Sequence, residues 1–215
     1  MDVGVLVVAD DEIVRATLCV AVRRAPGLVL VGATVTASDA GTATSRLHPD
    51  VVLLDDHLHH EDWIGVCRRM RSVDPDVAVL VLTSLDDDDT VLQLVLAGAA
   101  GCVLRDLRRL DVADTVRCAG RGGTALDPAA EARVRARLTG GADPGVTATL
   151  TPSQRRVVRL VASGLTDRQV ADTLAVPVPD ATAQVAAVVR RLRPARPPSP
   201  TRPAPAGQPV PRSAC

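Results

Sequence analysis

The chain has 215 residues, 47% of them hydrophobic and 23% charged, which is enough for one large core or two small ones and too apolar for a disordered polymer. No apolar run approaches the roughly eighteen residues that cross a bilayer, and Asp10 and Asp11 come too early for a secretory leader, so a cytoplasmic protein with no membrane partner is expected. Residues 1–121 carry 19 acidic and 12 basic side chains (−7) and residues 122–215 carry 6 and 13 (+7), which suggests a metal or phosphoryl site followed by a nucleic-acid module.

Short apolar runs alternate with helical patterns over the first 120 residues. The runs are 3–9, 28–33, 51–55, 77–83 and 101–104, rich in Val and Leu on both faces, as strands buried on both sides of a parallel sheet are. Helical spacing covers 12–25, 38–47, 62–73, 87–97 and 108–120. Five strand–helix units predict a doubly wound α/β domain over 1–121, a flavodoxin-like five-stranded parallel sheet with ligands at the carboxyl ends of its strands.

The Gly-rich break at 121–124 opens a linker, 122–146, in which 129–138 reads as a connecting helix. From Thr151 to Leu192 come three short helical patterns. The first has Thr151 as cap and Pro152 at its first position and stops at Gly164; the second is capped by Thr166; the third begins near Asp180. They predict a small all-α helix-turn-helix domain over 147–193. Residues 194–215 hold eight prolines and build no core, so they are expected to be a disordered or extended tail.

Asp10 and Asp11 end the first strand, Asp55 the third and Thr83 the fourth, and Arg105 follows the fifth. Three carboxylates gathered at one sheet edge repel unless a divalent cation neutralises them, and hard oxygen ligands suit Mg²⁺. A hydroxyl and a cation opposite them suit the oxygens of a phosphoryl group on Asp55. With VVADD, VVLLD, VLTS and LAGAAGCVLRD the chain resembles, over about 1–120, the receiver domain of two-component response regulators. The resemblance implies that Asp55 accepts phosphate from a sensor histidine kinase, that Asp10, Asp11 and Asp55 hold Mg²⁺, and that Thr83 and Arg105 contact the phosphoryl group. Arg105 stands where the family has Lys, Cys102 where it has an aromatic ring, and the loop after Asp11 is one residue short.

LTPSQRRVVRLVASGLTDRQVADTLAV resembles the first two helices of the LuxR-type DNA-binding domain of the NarL/FixJ subfamily. Double-stranded DNA is then an implied partner, with Arg168 and Thr182 as contact residues. Thr182 replaces the Lys usual at the recognition helix and Asp180 opposes phosphate, so binding is expected to be weak unless protomers pair as a homodimer or heterodimer on activation. Arg155, Arg156, Arg159, Arg190 and Arg191 are basic residues that compensate or simply face solvent.

Several features stay open. His57, His59, His60 and Glu61 are a transition-metal set or a solvated loop, Asp86–Asp89 a helix start, and Trp63 a core residue or a partner-facing anchor. No nucleophile–base pair or phosphate-cradling Gly loop is present, so an enzyme is not expected. The alternative to a transcriptional regulator is a receiver that acts as a protein-interaction module without specific DNA binding.

Overall fold

In the computed structural model, which describes residues 2–58, 62–83, 88–104, 112–126, 128–139 and 150–192, every apolar run of the first half is a parallel strand. The strands are β1 (Val3–Val8), β2 (Leu28–Thr34), β3 (Val51–Asp55), β4 (Ala78–Thr83) and β5 (Gly101–Leu104), in the order β2-β1-β3-β4-β5. Their helices are α1 (Glu12–Arg24), α2 (Ala37–Leu47), α3 (Trp63–Val73), α4 (Asp88–Ala97) and α5 (Ala113–Gly120). This is the flavodoxin-like doubly wound order, and it puts the topological switch point beside β1 and β3.

Strand period divides the interior into two halves. Val5, Val7, Leu53, Leu80 and Leu82 pack with α1 and α5, while Leu6, Val8, Val52, Leu54 and Val81 pack with α2, α3 and α4. Trp63 is buried in the second of these cores at the start of α3, which settles its role as packing.

That second core does not stop at the sheet. It continues from α4 through Val134 and Leu138 of α6 (Pro128–Thr139) into α7 (Pro152–Ala162), α8 (Asp167–Leu174) and α9 (Val178–Leu192). Both α7 and α8 open on a capping box, Thr151 with Gln154 and Thr166 with Gln169. α7 ends where Gly164 turns left-handed at φ +84°, with Gly164 N–H donating to Val161 O and Leu165 N–H to Leu160 O. α9 begins two residues ahead of Asp180, because Pro179 falls in its first turn, where no backbone N–H is required. Of the acidic run at 86–89, Asp88 and Asp89 open α4, and the first two residues lie outside the described ones.

Candidate functional site

Register brings the strand ends into line. Val8 lies opposite Leu54, Asp55 opposite Leu82 and Thr83 opposite Leu104, so Asp55 has the residues following β1 on one side and Thr83 on the other. Asp55 is 1% exposed and Thr83 3%. Asp56 N–H donates to Leu82 O at 3.2 Å, and Asp55 Oδ1 accepts from His57 N at 3.1 Å, which fixes the turn leaving β3. Arg105 lies outside the described residues.

On the β1 side Asp10 is half-buried, and Arg15 of α1 donates from Nη1 to the carbonyls of Ala9 at 2.9 Å and Asp10 at 3.2 Å. A cation therefore backs the acidic loop, a feature that the sequence reading did not include. Asp11 has a second duty. Because the loop is short, α1 starts at the next residue, and Asp11 Oδ1 caps it by accepting from Ile13 N at 2.8 Å and Val14 N at 3.1 Å.

Ligand atoms of Asp55, Asp56 and His57 lie within 4.8 Å of one another, the one such grouping of three among the described residues. His57 Nδ1 and Asp56 Oδ1 are in direct contact. His59, His60 and Glu61 lie outside the described residues. Carboxylate oxygens from Asp10, Asp11 and Asp55 suit a hard ion such as Mg²⁺; an imidazole nitrogen at His57 suits a borderline transition ion better.

In the helical half, Arg168 is exposed at the start of α8, as are Arg155, Arg156, Arg159, Arg190 and Arg191, and Asp180 is exposed in the first turn of α9. Thr182 is not open in the same way. It lines a cavity of about 370 Å³ together with Gly65 and Arg69 of α3, Asp167 of α8 and Ala186 of α9. Thr182 is half-buried at that cavity, while Val178, Pro179, Asp180, Ala183 and Gln184 at the start of α9 are exposed.

Residues that sequence reasoning missed hold this arrangement. Arg68 of α3 donates from Nε to Asp167 Oδ1 at 2.8 Å, from Nη1 to Leu96 O at 2.9 Å and from Nη2 to Leu165 O at 3.0 Å. Arg68 is 5% exposed and Asp167 4%, so the pair is fully interior. One turn on, Arg71 donates from Nη1 to Gly164 O at 3.2 Å. The available signal was position: Ile64, Cys67, Arg68 and Arg71 follow the buried stripe of α3 at helical spacing. Beside them Cys67 donates its thiol to Ala97 O at 3.3 Å, and burial pushes that thiol up to about 12 although the Arg71 and Arg68 charges pull it down.

Comparison with known proteins identifies the family and the fold. The response regulator receiver domain family matches residues 5–117. The transcriptional activator DevR/DosR of Mycobacterium tuberculosis (strain ATCC 25618 / H37Rv) is 35% identical over 175 residues, covering 80% of this chain and 80% of that protein. The transcriptional regulatory protein LiaR of Bacillus subtilis (strain 168) is 25% identical over 191 residues, 88% of this chain and 90% of that one. The solved RcsB response regulator of Salmonella typhimurium superposes with a TM-score of 0.52 at 18% identity, over 89% of this chain and 92% of that chain, a likeness of fold.

Proposed function

We propose that this chain, which belongs to the response regulators, controls transcription through phosphorylation of Asp55. The observation that carries the reading is the burial of Asp55 at the carboxyl end of β3, with Asp10 and Thr83 on the adjacent strand ends. A sensor histidine kinase is the phosphodonor: the phosphorus–nitrogen bond of its phosphohistidine breaks and an acyl phosphate forms on an Asp55 oxygen. Thr83 would donate its hydroxyl hydrogen to one phosphoryl oxygen, and Arg105 would supply positive charge to another. Asp10, Asp11 and Asp55 would hold Mg²⁺, with Asp11 also capping α1. When bound, the ion neutralises the carboxylates and the incoming phosphoryl charge.

The division we propose is a receiver over 1–121, a linker over 122–146, a helix-turn-helix over 147–193 and a tail over 194–215. α9 reads double-stranded DNA, with Arg168 on the phosphates and Thr182 at the groove, in a dimer formed on activation. Two observations support the alternative, a protein-interaction module: Asp180 is exposed where phosphate would lie, and Thr182 is half-buried at a cavity that α3 also lines.

Phosphorylation is tested by intact mass after incubation with Mg²⁺ and a small phosphodonor. One added phosphoryl mass, absent in Asp55→Asn, supports the assignment. A label that persists in Asp55→Asn moves it to Asp56. Duplex binding by the phosphorylated full chain separates regulator from interaction module.

A further inference from the structure

We infer that the exposed face of α9 selects bases that present an exocyclic amino group in the major groove: Gln184 reads adenine, Asp180 reads cytosine, and guanine goes unread. This rests on α9 being the DNA-reading helix and says which bases that helix prefers.

Helical spacing sorts α9 into two stripes. Ala181, Val185, Val188, Val189 and Leu192 are buried. Asp180, Ala183, Gln184, Ala187, Arg190 and Arg191 follow the other side and are exposed, except that Ala187 is half-buried. Thr182 stands at the edge of this second stripe, half-buried. A recognition helix touches base edges with its N-terminal residues. On α9 that part of the exposed stripe holds Asp180, Ala183 and Gln184 and no cation. Arg190 and Arg191 come about 9–10 Å further along the axis, and Arg191 donates from Nη1 to Gln154 Oε1 of α7 at 2.9 Å. The arginines are therefore placed for phosphates and not for the bases that Gln184 meets.

The major groove then decides by donor and acceptor pattern. Guanine offers only acceptors there, N7 and O6, and the side chains that read it in pairs are Arg and Lys. Adenine offers an N6 donor beside an N7 acceptor, which matches the Gln184 carboxamide: Oε1 accepts from N6 and Nε2 donates to N7. Against guanine the same Oε1 would meet O6, acceptor against acceptor. Asp180 only accepts, so it suits the N4 amino group of cytosine and is repelled by phosphate. Asp180 and Gln184 are four residues apart on one face, with Cβ atoms about 5–6 Å apart, so they reach neighbouring base pairs. Between them Ala183 is small enough to admit a close approach, and its methyl suits the thymine methyl.

The test uses the full chain, with and without Mg²⁺ and a small phosphodonor, on labelled duplexes with a randomised core. Sequencing the bound fraction gives the preferred site. Fluorescence anisotropy at low salt then compares that site with versions carrying 7-deazaadenine or 7-deazaguanine, which pair normally but lack the N7 acceptor. One 7-deazaadenine at the preferred adenine should weaken wild type about tenfold and leave Gln184→Ala, already weaker, unchanged. 7-Deazaguanine should have no effect at any position. Gln184→Arg should exchange the selected adenine for guanine. Asp180→Ala should lose the preference for cytosine and bind mixed-sequence duplex more tightly, because a carboxylate is removed from beside the phosphates. Duplex binding without a preferred site, indifferent to 7-deazaadenine or weakened by 7-deazaguanine, overturns the inference and leaves α9 as the DNA-reading helix. No duplex binding in either state overturns that reading and the inference with it. If a variant fails to fold, the two base analogues decide on wild type alone.

Discussion

Arg71 passes directly over Gly98: a Cβ placed on Gly98 would lie 2.3 Å from Arg71 Nη1, and Gly98 holds a φ of +70° at the end of α4. The same Nη1 reaches across to Gly164 O at 3.2 Å. A side chain at Gly98 would therefore strain the backbone and push the guanidinium off the turn it holds. Gly98→Ala should cost about 2 kcal/mol in chemical denaturation, from left-handed strain plus a lost hydrogen bond. In an Arg71→Leu background the same change should cost less, since only strain remains. Equal costs in the two backgrounds would show that the contact is immaterial.

Cys67 gives a pH signature. Its thiol is raised from an ordinary value of 9.0 to about 12, first by burial. The unfolded chain ionises this thiol before the folded chain does. Its contribution to stability is therefore complete below about pH 9 and is lost as pH rises towards 12. Denaturant midpoints measured between these limits should fall more steeply for wild type than for Cys67→Ala. A neutral thiol reagent should label exposed Cys118 in the native protein and spare Cys67. Parallel pH slopes for the two proteins would refute the assignment.

Ala175 ends α8 in the left-handed region at φ +54°, with Val176 N–H donating to Ala171 O at 3.1 Å. The position asks for glycine, and the alanine Cβ adds strain. Ala175→Gly should raise stability by about 0.5–1 kcal/mol, the strain relieved less the added backbone entropy of the unfolded chain. A lower melting temperature would mean that the methyl group packs better than its exposure implies.

The sheet was legible because strand period leaves few choices. Val and Leu on successive positions of β1 and β3 require burial on both faces, which only a covered parallel sheet provides. Asp55 and Thr83 could be placed for the same reason, each being the first polar residue after such a run. The buried Arg68–Asp167 pair was not legible. Arg68 and Asp167 are 99 residues apart, and each reads locally as an ordinary charged helix residue. The duty of Asp11 fell between the two cases. The sequence showed a shortened loop, but only the backbone shows that shortening starts α1 at Glu12 and makes Asp11 its cap.

That double duty can be separated by mutation. Asp11 Oδ1 satisfies two N–H groups of α1, and the same carboxylate is a proposed Mg²⁺ ligand. Asp11→Ala removes both functions and should lower the stability of the metal-free protein by about 1 kcal/mol, the usual value of a helix cap. Asp11→Ser keeps a cap and loses the carboxylate, so its metal-free melting temperature should match wild type. Wild type should gain stability on adding Mg²⁺, in proportion to the logarithm of ion concentration over the dissociation constant once the site is filled. Asp11→Ser should gain much less, and so should Asp10→Ala, which touches no helix cap. If Asp11→Ser responds to Mg²⁺ as wild type does, Asp11 is a cap and not a ligand. The ion would then rest on Asp10 and Asp55, or move to the Asp55, Asp56 and His57 grouping, where Ni²⁺ or Zn²⁺ should stabilise the fold more than Mg²⁺.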